Sequence, residues 1–397
     1  MKWRRIAAAL LAIACIIFLF FAADILGFYS APKPIAASFA FACGLALGIV
    51  MQRSRFCFYC HLREWFEERN PRGALALLLA IAIGLVGYTI VIGGWSPNPS
   101  TLPPDIHVGT VSEIVVLAGL LFGFGMVLSE SCISAHWYHL AGGSLFSLVA
   151  LFGAAIGFFL GFNSWNALYS YRLAEAPTIW LPAYLGYGGA LLVQLGVIVL
   201  LCAFLWRGFG ESSGEATAPS ATIFGAWRRL WEKQWSYWIG GLLVGLIAIA
   251  AISRIKPLGV TATIASWTRA AANKWGLIPD RLNGLDGFAG CGSLPQNFWF
   301  NEDSLLLLGF VGGAFIASLA SGQFALEKIN LKEALRALFG GVLLGFGAMI
   351  ALGCTIGTLL SGTQAGAVSG WLFGAAMLFA IWIGLKIKKR LIENKSQ

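Results

Sequence analysis

Residues 119–132, GLLFGFGMVLSESC, recur 222 positions later as residues 341–354, GVLLGFGAMIALGC. The two stretches share three glycines (Gly119/Gly341, Gly123/Gly345, Gly125/Gly347), a phenylalanine (Phe124/Phe346) and a closing cysteine (Cys132/Cys354). Glycine-rich apolar helices are common in membranes, where small residues let backbones approach closely. The shared Phe and Cys at one fixed distance separate a repeat from mere composition. A weaker pairing sets Gly44-x-x-x-Gly48 against Gly241-x-x-x-Gly245.

The surroundings of these stretches are as apolar as the stretches themselves. Of 397 residues, 58% are hydrophobic and 11% charged, against about 25% charged in a soluble chain. That charge cannot cover a water-facing surface, so the fold class is an all-α integral membrane protein. A span needs about 20 apolar residues, and such runs lie near 6–28, 35–52, 73–95, 110–131, 145–163, 181–206, 236–253, 303–321, 333–353 and 366–387. The first run follows Lys2, Arg4 and Arg5 and reaches about Phe28. It exceeds the roughly 7–15 apolar residues of a signal peptide and reads as a transmembrane helix.

In this count of about ten, the repeated stretches are the fourth and ninth spans, an odd separation, so they cross in opposite senses. An inverted-topology repeat is typical of transporters and channels, whose binding site sits near the midplane at the repeat interface. The chain divides into an N-terminal helix (1–30), a first membrane repeat (31–206), a small-residue linker (207–235) and a second, inverted repeat (236–390).

Charge sets the orientation. The net charge of +9 comes from Lys and Arg beside apolar runs, with no basic-aromatic patch for nucleic acid. The basic segments 1–5, 53–72, 207–233, 328–336 and 386–395 fall on one side, and by the positive-inside rule both termini are cytoplasmic. Segment 254–302 belongs outside yet carries Arg254, Lys256, Arg269, Lys274 and Arg281. A re-entrant helix near 259–275, an anion route or an ordinary exposed loop each accounts for it.

Cys132 and Cys354 each end an apolar helix and begin a short segment (133–143, 355–366) that cannot span. Such a segment can fold back as a half-helix whose N-terminus presents free N–H groups to an anion. Cys57 lies beside Arg53 and Arg55, where positive charge favours thiolate character. Cys15, Cys43 and Cys202 read as small buried hydrophobes. Further candidates are Cys60 and His61, the i, i+3 pair His136 and His139, Cys291 in a Gly-Cys-Gly turn, and Glu130, an intramembrane charge. Cys57, Cys60, His61, His136 and His139 also suit a redox or metal-binding membrane protein. No nucleotide or hydrolase motif occurs, so neither an enzyme nor a cofactor is expected.

With Gly48-Ile-Val-Met-Gln-Arg-Ser-Arg-Phe-Cys57-Phe, Leu120-Leu-Phe-Gly-Phe-Gly-Met-Val-Leu before Cys132, and Gly345-Phe-Gly-Ala-Met-Ile-Ala-Leu-Gly-Cys354-Thr-Ile-Gly357, the chain resembles the YeeE/YedE family of bacterial membrane proteins. That family includes thiosulfate transporters and members linked to selenium metabolism. The resemblance implies a bacterial inner-membrane permease for a small sulfur-containing anion, with a selenium species as the alternative cargo. It implies that Cys57, Cys132 and Cys354 line the path; the residues themselves add Cys60, Cys291, Arg55, Glu130 and His136 as candidate accessories. A cytoplasmic sulfur-carrier protein is a possible partner. The family usually carries Gly-Gly-Cys-x-x-Gly around the first repeat cysteine, whereas this chain has Glu130-Ser131-Cys132-Ile-Ser-Ala135.

Overall fold

The computed structural model describes residues 6–15, 17–18, 34–100, 102–103, 106–207, 233–285 and 301–393. The Cys291 turn and most of the expected linker lie outside these. Among the described residues there are helices and no strand, and nine helices are long and apolar enough to cross a membrane. They match nine of the ten expected spans. The tenth, 6–28, is described in part, as α1 (Ile6–Cys15).

Four times the chain makes a long helix, a short one and a second long one. The first half holds α2 (Pro34–Ser54), α3 (Phe58–Glu68) and α4 (Arg72–Trp95), then α5 (Glu113–Ser129), α6 (Ile133–Ala141) and α7 (Leu145–Leu168). After α8 (Leu181–Trp206) the second half holds α9 (Tyr237–Arg254), α10 (Ala262–Lys274) and α11 (Glu302–Ser321). It ends with α12 (Leu331–Ile350), a π-helical half-helix (Thr355–Gly362) and α13 (Val368–Glu393). Three of the short helices fall where the sequence allows re-entrant segments. The fourth, α3, replaces what reads as a basic loop at 53–72. Its sequence, FYCHLREWFEE, buries Phe58, Tyr59, His61 and Leu62, and it is too short and polar to span.

The packing exchanges elements between halves. Helix α2 packs on α11 and α4 on α9; likewise α5 packs on α13 and α7 on α12. In each unit the first helix of one half meets the last helix of the other, while α2 also meets α9 and α5 meets α12. A two-fold axis that equates α2 with α9 and α5 with α12 produces this reciprocal pattern, as in any isologous interface. Helix α5 is the third of the nine spans and α12 the eighth, so the axis relates oppositely directed helices.

Glycines set how closely the halves meet. A methyl at Gly44 or Gly48 would overlap the carbonyl oxygens of Leu306 and Phe310, and at Gly341 or Gly345 those of Ala150 and Ala154. Lipid supplies no hydrophobic drive between helices, so this backbone contact is what holds them. Burial runs opposite to that of a soluble protein. Leu192 and Leu200 point outward at 72% and 71% exposure, while Ser134, Thr261, Thr263, Thr355, Ser361 and Thr363 are buried at the centre. A polar interior behind a Leu-rich exterior is the pattern of a membrane protein with an internal route.

Candidate functional site: four half-helix caps at the centre

Each long helix that precedes a central cysteine is stopped by a residue in the left-handed region. Arg55 (φ 50°), Glu130 (φ 57°) and Leu352 (φ 58°) each lie two positions before Cys57, Cys132 and Cys354. Around two of them the helix closes with the six-to-one bond of a Schellman end: Phe56 N–H donates to the Met51 carbonyl at 3.1 Å, and Gly353 N–H to that of Ala348 at 2.9 Å. The chain then turns extended at the cysteine, which becomes the N-cap of the next half-helix.

The three candidate cysteines are therefore equivalent: each caps a half-helix, and each is fully buried. Cys57 Sγ lies 3.9 Å from Cys132 Sγ and 3.7 Å from Ser131 Oγ, so the ends of α3 and α6 meet. Cys354 is within electrostatic reach of Cys132. The fourth cap is Thr261 on α10, also buried. None of the four caps makes a side-chain capping bond, and each faces the positive dipole end of its half-helix.

Two adjoining cavities open from the α3/α6 side. One, of about 520 Å³, is lined among others by Arg55, Cys60, His61, Arg63 and His139, and brings Cys60 to within one turn of Cys57. The other, of about 560 Å³, is lined by Glu130, His136, His139, Lys328 and Arg336. Glu130 is an anchor, its Oε1 lying 2.6 Å from Lys388 Nζ and 3.2 Å from Arg336 Nη1. His136 Nδ1 is bonded to Ser147 Oγ at 3.1 Å, and His61 sits edge-on to the rings of Phe56 and Tyr237. Among the described residues no group of three His, Cys, Asp or Glu side chains is placed to hold a metal. The set Cys57, Cys60, His61, His136 and His139 thus spreads over two cavities and a core.

On the opposite side, the 254–302 segment resolves part of its charge excess. Lys256 pairs with Asp303 at 2.6 Å and Arg269 is buried on α10. His107 reaches in from the 96–109 loop, its Nδ1 bonded to the Gly357 carbonyl at 3.0 Å.

Sequence reading did not find α3 as a half-helix or Thr261 as its counterpart. The offset between halves grows from 197 at Gly44/Gly241 to 204 at Cys57/Thr261, because α9 runs three residues further past its glycine than α2 does and the connection before α10 is four residues longer. No fixed-offset comparison aligns them. The helix–cap–half-helix rhythm, rather than residue identity, was the available signal.

Comparison with known proteins gives the family. The family described as sulphur transport matches residues 53–383. The thiosulfate transporter TsuA of Escherichia coli (strain K12) is 30% identical over 363 residues, covering 86% of this chain and 91% of the relative. TsuA of Spirochaeta thermophila is 25% identical over 360 residues, 85% of this chain and 95% of the relative. The probable transporter YedE of Escherichia coli (strain K12) matches at 29% over 85 residues, 21% of each chain. With the match running through all four half-helices, the chain belongs to the sulphur-transport family of multi-pass membrane proteins.

Proposed function

We infer that this protein is a permease for a small sulfur-containing anion of the thiosulfate type, which crosses the centre between the half-helix caps. The supporting observation is the 3.9 Å approach of Cys57 and Cys132 at two facing, uncapped half-helix ends, with Cys354 in the equivalent place on a third. Free N–H groups and helix dipoles attract the charge. The thiols are weak donors with soft sulfur that suit a terminal sulfur atom. Contacts that are individually weak let an ion enter and also leave.

The termini lie in the cytoplasm of a bacterial cell and the α3/α6 cavities open there. Arg55, Arg63, Lys328, Arg336 and Lys388 gather on this side, as the positive-inside rule requires. A cytoplasmic sulfur-carrier protein would receive the anion at this mouth, where Cys60 lies.

The test is uptake of radiolabelled thiosulfate by cells making the wild type or Cys57→Ala, Cys132→Ala and Cys354→Ala. Each substitution is expected to lower uptake at least tenfold at unchanged membrane abundance, since it removes one station of a series. Unchanged uptake in all three variants sinks the cysteine path. No uptake by the wild type sinks the cargo, and preference for a selenium oxyanion in competition would reassign it.

A further inference from the structure

The cysteine path leaves three buried hydroxyls unused. Ser134 Oγ, Thr263 Oγ1 and Thr355 Oγ1 have no hydrogen-bond partner, although their residues are 0%, 1% and 0% exposed. Each belongs to the first turn of a half-helix: Ser134 is two residues after Cys132, Thr263 two after Thr261, and Thr355 directly follows Cys354. Other buried hydroxyls along the same half-helices have acceptors. Ser266 donates to the Ala262 carbonyl at 2.7 Å, Thr358 to that of Ala351 at 3.1 Å, and Ser361 to that of Leu258 at 2.9 Å.

The difference has a physical origin. A Ser or Thr inside a helix returns its proton to the carbonyl four residues back, but in a first turn that carbonyl belongs to the non-helical lead-in. Cα–Cβ bonds tilt toward the helix N-terminus, so these short side chains carry their hydroxyls toward the positive dipole end. Burying a donor without an acceptor is unfavourable, so a buried unpaired hydroxyl is ready to take an acceptor. Three such donors recur at three half-helix ends.

We propose that Ser134, Thr263 and Thr355, each at its own half-helix end, are oxyanion donors that bind the oxygen end of the transported anion along its path. This rests on the permease reading and adds the half of the ligand that thiols serve badly. A sulfonate group concentrates its charge on hard oxygens, which take stronger hydrogen bonds from O–H and N–H than from S–H. In passage the hydroxyls and first-turn amides hold the oxygens while the cysteines meet the sulfur. The path therefore selects for anions carrying both, and hydrosulfide, which has no oxygen, misses half of the contacts.

The experiment measures the concentration dependence of radiolabelled thiosulfate uptake in wild type, S134A, T263V, T355V and the hydroxyl-retaining T263S and T355S, with membrane abundance measured for each. T263V and T355V keep the side-chain shape and lose the donor, so KM is expected to rise about tenfold in each. T263S and T355S should stay within about twofold of wild type, a rescue that a purely structural role would not produce. Inhibition of uptake by hydrosulfide should be unchanged in the valine variants. Wild-type KM in S134A, T263V and T355V together, with uptake intact, overturns the proposal. A wild type that takes up no thiosulfate overturns the permease reading instead. Should T355V fail to reach the membrane, T263V and S134A decide the matter, and unchanged KM in both overturns the proposal.

Discussion

Glu130 stands in a left-handed turn, a conformation that suits glycine better than glutamate. At φ 57° a residue with a Cβ is strained by about 1–2 kcal/mol, whereas glycine takes the conformation freely. This chain keeps a carboxylate there and ties it to Lys388 and Arg336. At 35% exposure of the Glu130 side chain each pair contributes about 0.5–1 kcal/mol, comparable with the strain. Two substitutions separate the effects. Glu130→Ala loses both pairs and keeps the strain; Glu130→Gly loses the pairs and relieves it. In detergent, E130G is expected to melt above E130A by about 2 °C, and E130A below wild type. An E130G that melts below E130A would show that the left-handed turn is not strained. The anchoring role was not legible in the sequence, because Lys388 is 258 residues away.

At the scale of elements, the glycine pairs carry the weight that apolar burial carries in soluble folds. Gly345 faces the Ala154 carbonyl, while a methyl added at Gly312 on α11 would meet nothing within 4 Å. Gly345→Leu must push α12 off α7. It is expected to cost more than the roughly 1–3 kcal/mol typical of overpacking, seen as loss of the monodisperse species in size-exclusion of a detergent extract. Gly312→Ala should leave that profile intact and raise the melting temperature slightly, since alanine is the better helix former. These pairs were legible as G-x-x-x-G spacing. Helix α3 was not, because eleven residues with three glutamates resemble a loop until the flanking helices place them on the protein interior.

The whole molecule is organised by one operation, the reciprocal exchange of first and last helices between oppositely directed halves. Its sidedness has a direct check. Glu175, after α7, and Lys328, before α12, are both exposed, and the repeat puts them on opposite membrane faces. With Glu175→Cys and Lys328→Cys, a membrane-impermeant maleimide should label position 175 in intact cells and position 328 only after permeabilisation. Cys57, Cys132 and Cys354 are fully buried and will add little background. Labelling of both positions from outside would contradict the inverted arrangement.

Membrane embedding, nine of the spans, the inverted repeat and the pairing of Cys132 with Cys354 were written in the sequence. Each depends on local composition or on identity at a constant offset, and both survive in one dimension. The meeting of Cys57 with Cys132, the equivalence of Cys57 to Thr261, the clamp on Glu130 and the idle hydroxyls of Ser134, Thr263 and Thr355 were decided by tertiary structure alone. They arise where half-helices from distant parts of the chain are packed inside the molecule, as where Cys57 meets Cys132, and a hydrogen bond left unmade there has no local signature.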